Sequence, residues 1–141
     1  MKTNPFFALL LAIVLFLPIA CAPTTQQVLA TKESQVKLRS IQTRAFDTTD
    51  KKMMLRTVIA TLQDLGFIID KADDVLGSVS GTKLDQYELR ITVTVRRRGA
   101  TQLLVRANAQ YEIYAVEEPE PYQQFFESLS KALFLKAHQV D

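Results

Sequence analysis

YELRITVTVRRRGATQLLVRANAQYEI, residues 87–113, is the stretch whose reading decides the fold. Tyr87, Leu89, Ile91, Val93 and Val95 alternate with Glu88, Arg90, Thr92, Thr94 and Arg96. A period of two is what a strand with one buried and one wet face requires. After Arg97-Arg98-Gly99-Ala100 the alternation resumes at Leu103, Val105, Ala107, Ala109, Tyr111 and Ile113. Centring the turn on those four residues sets Val93 against Val105 and Arg90 against Asn108, and the two apolar faces then coincide. The pattern predicts an antiparallel hairpin.

Upstream, Asp47, Thr48, Thr49 and Asp50 offer capping oxygens to a helix on which Met54, Leu55, Val58, Ile59, Leu62 and Leu65 form one apolar face. Gly66 suits the left-handed stop position, with Phe67 folding back on Leu62. Phe67–Ala72 and Val75–Lys83 read as strands joined at Asp73-Asp74, with Gly77 and Gly81 marking a bend or an edge. Before the helix, Val36–Phe46 reads as a strand, and a bulge near Ser40 reconciles Leu38 with Ile41. Downstream, Glu117-Glu118-Pro119-Glu120-Pro121 suits a helix start. The second helix runs to about His138 with Tyr122, Phe125, Phe126, Leu129, Leu133 and Ala137 as its stripe. Its large aromatics match the small Ala107 and Ala109 of the sheet. The expected fold is α+β, order β-α-β-β-β-β-α: an antiparallel sheet of four to five strands with two helices on one face.

Phe6–Ala20 is an almost unbroken apolar run behind Lys2, the form of a secretory signal. Only about twelve residues of that run, Phe6 to Leu17, precede Pro18, short of the roughly 20 that a membrane span needs. Leu17-Pro18-Ile19-Ala20-Cys21 resembles a bacterial lipoprotein signal, in which cleavage falls before a Cys that receives lipid. The resemblance implies a signal peptide at 1–20 and Cys21 as the lipidated first residue of the mature chain. Pro18, Ile19 and the position of Leu17 depart from the usual pattern. Ordinary cleavage after Ala22 is the competing reading, and it places the cut before Pro23. Ala22, rather than Asp, follows Cys21, and by the same analogy the anchor goes to the outer membrane with the domain in the periplasm. Residues 21–34 then form the lipidated Cys and a polar tether, reaching about 40 Å at about 3.3 Å per residue, and residues 35–141 form one α+β domain.

The element order is similar to the helix-grip domains of the BamC family, lipoproteins of outer-membrane assembly, including a helix that ends in Leu65-Gly66-Phe67 before a strand. Gln63-Asp64-Leu65-Gly66-Phe67 and Lys131-Ala132-Leu133-Phe134-Leu135 resemble small proteobacterial outer-membrane lipoproteins. These resemblances supply no catalytic or binding residues.

Composition narrows the chemistry. The 141 residues are 48% hydrophobic and 23% charged, with a net charge of +2, one Cys, one His and no Trp. The length suits one domain, the weak charge argues against nucleic acid, and a single Cys excludes an internal disulfide and a Cys-based zinc cluster. His138 near the C-terminus complements a helix end. Asp70, Asp73 and Asp74 lack the spacing of a calcium loop and read as a solvated turn. No phosphate loop or nucleophile elbow is present, so no catalytic residue, metal or cofactor is assigned.

Two candidate contact surfaces remain. Arg90, Arg96, Arg98 and Arg106 share the parity of the wet sheet face, with Arg97 beside them in the turn. They form either a solvated face that resists edge pairing or a docking surface for an anionic or polar partner. Phe134 and Leu135 fall on opposite flanks of the second helix's stripe. Either both are clasped between sheet and first helix, or they contact another protein or the membrane. The function expected is that of a non-enzymatic accessory or scaffold subunit of an envelope complex. The alternative is a helix-grip module that binds an apolar or envelope ligand: lipid, lipopolysaccharide or a peptidoglycan fragment.

Overall fold

The hairpin forms in a computed structural model that describes residues 34–84 and 87–138, with side chains described as far as residue 135. The Phe6–Ala20 run, Cys21 and the tether as far as residue 33 lie outside the described residues. Strands β4 (Glu88–Arg98) and β5 (Gln102–Tyr111) pair with Val93 opposite Ala107, Val95 opposite Val105 and Arg90 opposite Gln110. The expected pairs, Val93 with Val105 and Arg90 with Asn108, are therefore displaced by two positions. The turn is Gly99-Ala100-Thr101, one residue further along than expected, because Gly99 at φ 63° opens it rather than sitting inside it. A shift of two leaves every side chain on its expected face, so the apolar faces still coincide.

Val36–Phe46 is not one strand. Residues 34–41 form a helix, α1, so that Ser34, assigned to the tether, is already helical; only Thr43–Phe46 is a strand, β1. The spacing that seemed to need a bulge is helical spacing. Leu38 and Ile41, three apart, are both half-buried while Val36 is exposed. The Ser40 hydroxyl donates to the Lys37 carbonyl at 2.6 Å, and the Gln42 amide closes on Leu38 O at 3.1 Å.

Helix α2 (Lys51–Asp64) is capped as expected. Asp50 Oδ1 accepts from the Met53 amide at 2.8 Å. At the other end Gly66, at φ 86°, lets the Phe67 and Gly66 amides bond to the carbonyls of Leu62 and Gln63, both at 2.9 Å. Strands β2 (Ile68–Asp73) and β3 (Ser78–Leu84) follow, and the link between them is longer than Asp73-Asp74. Asp73 Oδ1 accepts from the Leu76 amide at 2.8 Å and holds the turn that ends at Gly77. Gly81 lies inside the sheet rather than at an edge, opposite a bulge between Ile69 and Lys71. There a Cβ would lie 3.0 Å from the Ile68 carbonyl oxygen. Strand β5 stops at Tyr111; Glu112-Ile113 turns the chain, and β6 (Tyr114–Ala115) pairs back. Helix α3 (Glu120–His138) completes the domain.

The fold class is α+β, as read. The described residues hold a six-stranded antiparallel sheet in the order β1-β5-β4-β3-β2, with β6 on β5. Among the described residues there are three helices rather than two. The core lies between the sheet and α2 with α3: Val79, Val93, Val105 and Ala107 from strands, Met54, Val58 and Leu62 from α2, and Tyr122, Phe125, Phe126 and Leu129 from α3. Phe125 and Phe126 meet edge to face at 5.1 Å between centroids. Among the described residues no helix is long and apolar enough to cross a membrane.

Candidate binding surfaces

One face of the sheet carries the helices, and the residues of opposite parity form the other. In β4 these are Arg90, Thr92, Thr94, Arg96 and Arg98, opposite Gln110, Asn108, Arg106, Leu104 and Gln102 of β5. Ser78, Ser80 and Thr82 of β3 extend the face past β4, and Thr43 of β1 extends it past β5. Hydroxyls, amides and guanidinia thus dominate it. Arg96, Arg98 and Arg106 are exposed at its hairpin end. Arg106 lies opposite Thr94, so Arg96 is its diagonal neighbour, about 7–8 Å away in a sheet of this kind. The Arg106 Nε donates to the Thr43 hydroxyl at 3.3 Å. Arg90 is further off and already paired, with Glu88 Oε1 at 2.7 Å. That exposed pair is worth about 0–1 kcal/mol.

Arg97 does not join them. It belongs to β4 rather than to the turn and lies opposite Leu103, with the parity of Val95 and the helix-bearing face. Consecutive arginines cannot all face one way in a strand. The basic face is therefore Arg90, Arg96, Arg98 and Arg106. Phe134 and Leu135 are 61% and 55% exposed, so neither is clasped between sheet and α2; Leu133 reaches the margin of the core.

Of the three acids read as a turn, only Asp74 lies in it; Asp70 and Asp73 belong to strand β2. Asp70 Oδ2 accepts from the Thr82 hydroxyl at 2.7 Å, and Asp73 holds Leu76. Among the described residues no group of three or more His, Cys, Asp or Glu stands close enough to hold a metal ion. The side chain of His138 lies outside those described.

A third feature was not foreseen. Rows of side chains run across the strands on the helix-bearing face. The row Gly81, Ile91, Ala109 lies under the core: Phe67 and Ile69 stand beside Gly81, and the Tyr122 hydroxyl reaches the Ala109 amide. The next row, Lys83, Leu89, Tyr111, Tyr114, is one step beyond the helical layer. With strands about 4.8 Å apart, this row is about 14 Å long. It floors a cleft of about 720 Å³, which Tyr87, Glu112, Pro121 and Gln124 complete. Tyr87 and Tyr114 are 66% and 71% exposed and Tyr111 is 40% exposed. The alternation had placed Tyr87 and Tyr111 on the buried face. Tyr111 keeps that parity, but the helical layer covers neither. The chain has four tyrosines, and all but the buried Tyr122 line this cleft. Glu112 holds φ 52°, a left-handed conformation that costs a residue with a Cβ about 1–2 kcal/mol. Lys83 lies along the C-terminal end of α2: its Nζ is 3.8 Å from where a Cβ on Gly66 would stand, a favourable place for a cation.

Comparison of the sequence with protein-family models and with curated proteins finds no match. The class the fold defines is thus an α+β domain with one sheet face covered by helices and one uncovered by the described residues.

Proposed function

We propose that the chain is a non-enzymatic outer-membrane lipoprotein, anchored through Cys21, whose periplasmic domain is an accessory or scaffold subunit of an envelope complex. The observation that carries this reading is the uncovered sheet face, polar along its length and basic at the hairpin end through Arg96, Arg98 and Arg106. An antiparallel sheet often leaves one face to solvent, but here three exposed guanidinia gather at one end of it on neighbouring strands, a compact positive patch suited to an anionic partner. That face docks an acidic surface of a protein partner. Anchoring confines both partners to one layer and raises their effective concentration, so modest contacts suffice.

The alternative, a sheet gripping an apolar ligand beneath a helix, is less well supported. Ala107 and Ala109 are buried in one core cluster with Tyr122, Phe125 and Phe126, each of the three no more than 1% exposed, so that space is filled.

The test is crosslinking and affinity capture from native membranes. Replacing Arg96, Arg98 and Arg106 by Ala should abolish a salt-sensitive association while preserving the fold. Arg97→Ala, on the other face, should leave the association intact. If the triple variant associates like the native chain, the docking reading fails. If Cys21→Ala remains membrane-bound and unprocessed, the anchor reading fails.

A further inference from the structure

The tyrosine cleft has a chemistry of its own, separate from the basic sheet face. Its floor offers apolar ring faces with hydroxyl tips: Tyr111 and Tyr114 side by side on paired strands, with Leu89 next to them. Among the described lining residues the polar groups are of every kind, and the charges of Lys83 and Glu112 offset each other. Lys83 brings a cation that donates, Glu112 an anion that accepts, and Gln124 an amide that does both.

That balance selects among ligands. A lipid chain gains from ring faces but loses wherever its burial desolvates Lys83 and Glu112. A strongly anionic or cationic ligand needs an excess of one sign, and the described lining residues have none. A ligand that is neutral, has flat C–H faces and carries hydroxyl and amide groups on its rim satisfies both halves of the lining. Glu112 adds a second indication. A two-residue turn would be met more easily by Gly or Asn at φ 52°. Backbone strain of this kind is often retained where a side chain has a task.

We infer that the cleft binds a chain of N-acetylated amino sugars, the glycan of peptidoglycan. The sugar rings stack on Tyr87, Tyr111 and Tyr114, and their hydroxyl and acetamido groups pair with Glu112, Gln124 and Lys83. The row of about 14 Å is long enough for a short oligosaccharide lying across the strands. The inference rests on the periplasmic placement proposed above, goes beyond the scaffold reading and uses none of the sheet-face arginines.

The chain has no Trp, and the cleft holds every tyrosine except Tyr122. Intrinsic tyrosine emission therefore reports on the cleft directly. The full-length chain, in a detergent without a sugar headgroup, is titrated with chitotetraose, with maltotetraose as the glucose control. Saturable quenching or enhancement by chitotetraose alone is expected. Tyr87→Ala and Tyr114→Ala should each weaken binding by roughly tenfold. Both residues are largely exposed, so neither change opens the core. Glu112→Gly should weaken binding similarly while keeping or raising the melting temperature, because it removes the carboxylate and relieves the backbone. The full chain should also co-sediment with purified sacculi, and Tyr114→Ala should reduce this. No saturable signal at millimolar chitotetraose, equal binding of maltotetraose, or tyrosine variants that bind like the native chain would each overturn the inference.

Discussion

Removing one oxygen atom from Tyr122 is expected to cost more than removing many whole side chains from the surface. The ring is fully buried in the first turns of α3. Its hydroxyl donates to the Val116 carbonyl at 2.7 Å and accepts from the Ala109 amide and the Gln42 side-chain amide, both at 3.2 Å. One atom thereby joins the start of α3, the loop before it, strand β5 and the α1–β1 junction. Tyr122→Phe keeps the ring and the packing but leaves Ala109 N–H and Val116 C=O without that partner. Ala109 is 5% and Val116 1% exposed, so water does not readily substitute. Each stranded buried group costs about 1–3 kcal/mol, and Gln42 adds a smaller amount, giving about 3 kcal/mol in all. For a domain near 100 residues this is a fall in Tm of about 12–24 °C. Thermal and urea unfolding of the full-length chain measure it. The double variant with Gln42→Ala should show a coupling of about 1 kcal/mol between the two sites. A loss below about 0.5 kcal/mol, the low end for a single hydrogen bond, would refute the claim that this hydroxyl holds three elements together.

Three further outcomes follow from the same coordinates. Gly77→Ala and Gly99→Ala both place a Cβ at positive φ, but at Gly77 it would lie 2.6 Å from the Val95 carbonyl oxygen, whereas at Gly99 nothing stands within 4 Å. The second should cost about 1–2 kcal/mol and the first clearly more, by urea midpoints. Asp50→Ala should cost about 1 kcal/mol and show as faster amide exchange in the first turn of α2. Leu129→Ala, inside the core, should cost about 2–5 kcal/mol, while Leu135→Ala, half exposed, should stay within about 1 kcal/mol in the same unfolding assay.

Where one periodicity ran unbroken, the chain could be read directly. The β4–β5 pattern, the Asp50 cap and the Gly66 stop each depend on neighbours in sequence, and each formed where local chemistry placed it. The hairpin register slipped because it hangs on which turn position Gly99 takes, a choice that alternation does not encode. Residues 34–41 were misread because β-branched content outweighed the three-residue spacing of Leu38 and Ile41. The basic face was legible by parity, except that Arg97 was grouped with its chain neighbours instead of with Leu103 across the strand. The cleft was not legible at all. Tyr111 keeps the buried-face parity, and it and Tyr87 stay open because the helical layer, whose α3 begins beside the cleft with Pro121 and Gln124, does not cover them. The one signal for it in the sequence is the clustering of Tyr87, Tyr111 and Tyr114 at the two ends of the hairpin strands. Arg44 illustrates the same gap: it stacks 5.0 Å from the centroid of the Phe126 ring, a contact set by β1 crossing over to lie beside β5.

That crossover also decides how the domain answers a pull. Tension arriving from the N-terminal side reaches the sheet through β1, a four-residue strand bound on one side only, to β5. The next pair inward, β4 with β5, is held along strands of eleven and ten residues. A pull from that side therefore loads β1 first, with the Gln42 and Arg44 contacts to α3, before it strains the central strands. The short first strand acts as a mechanical fuse: it yields and re-forms at the margin while the surfaces carried by β4 and β5 keep their shape.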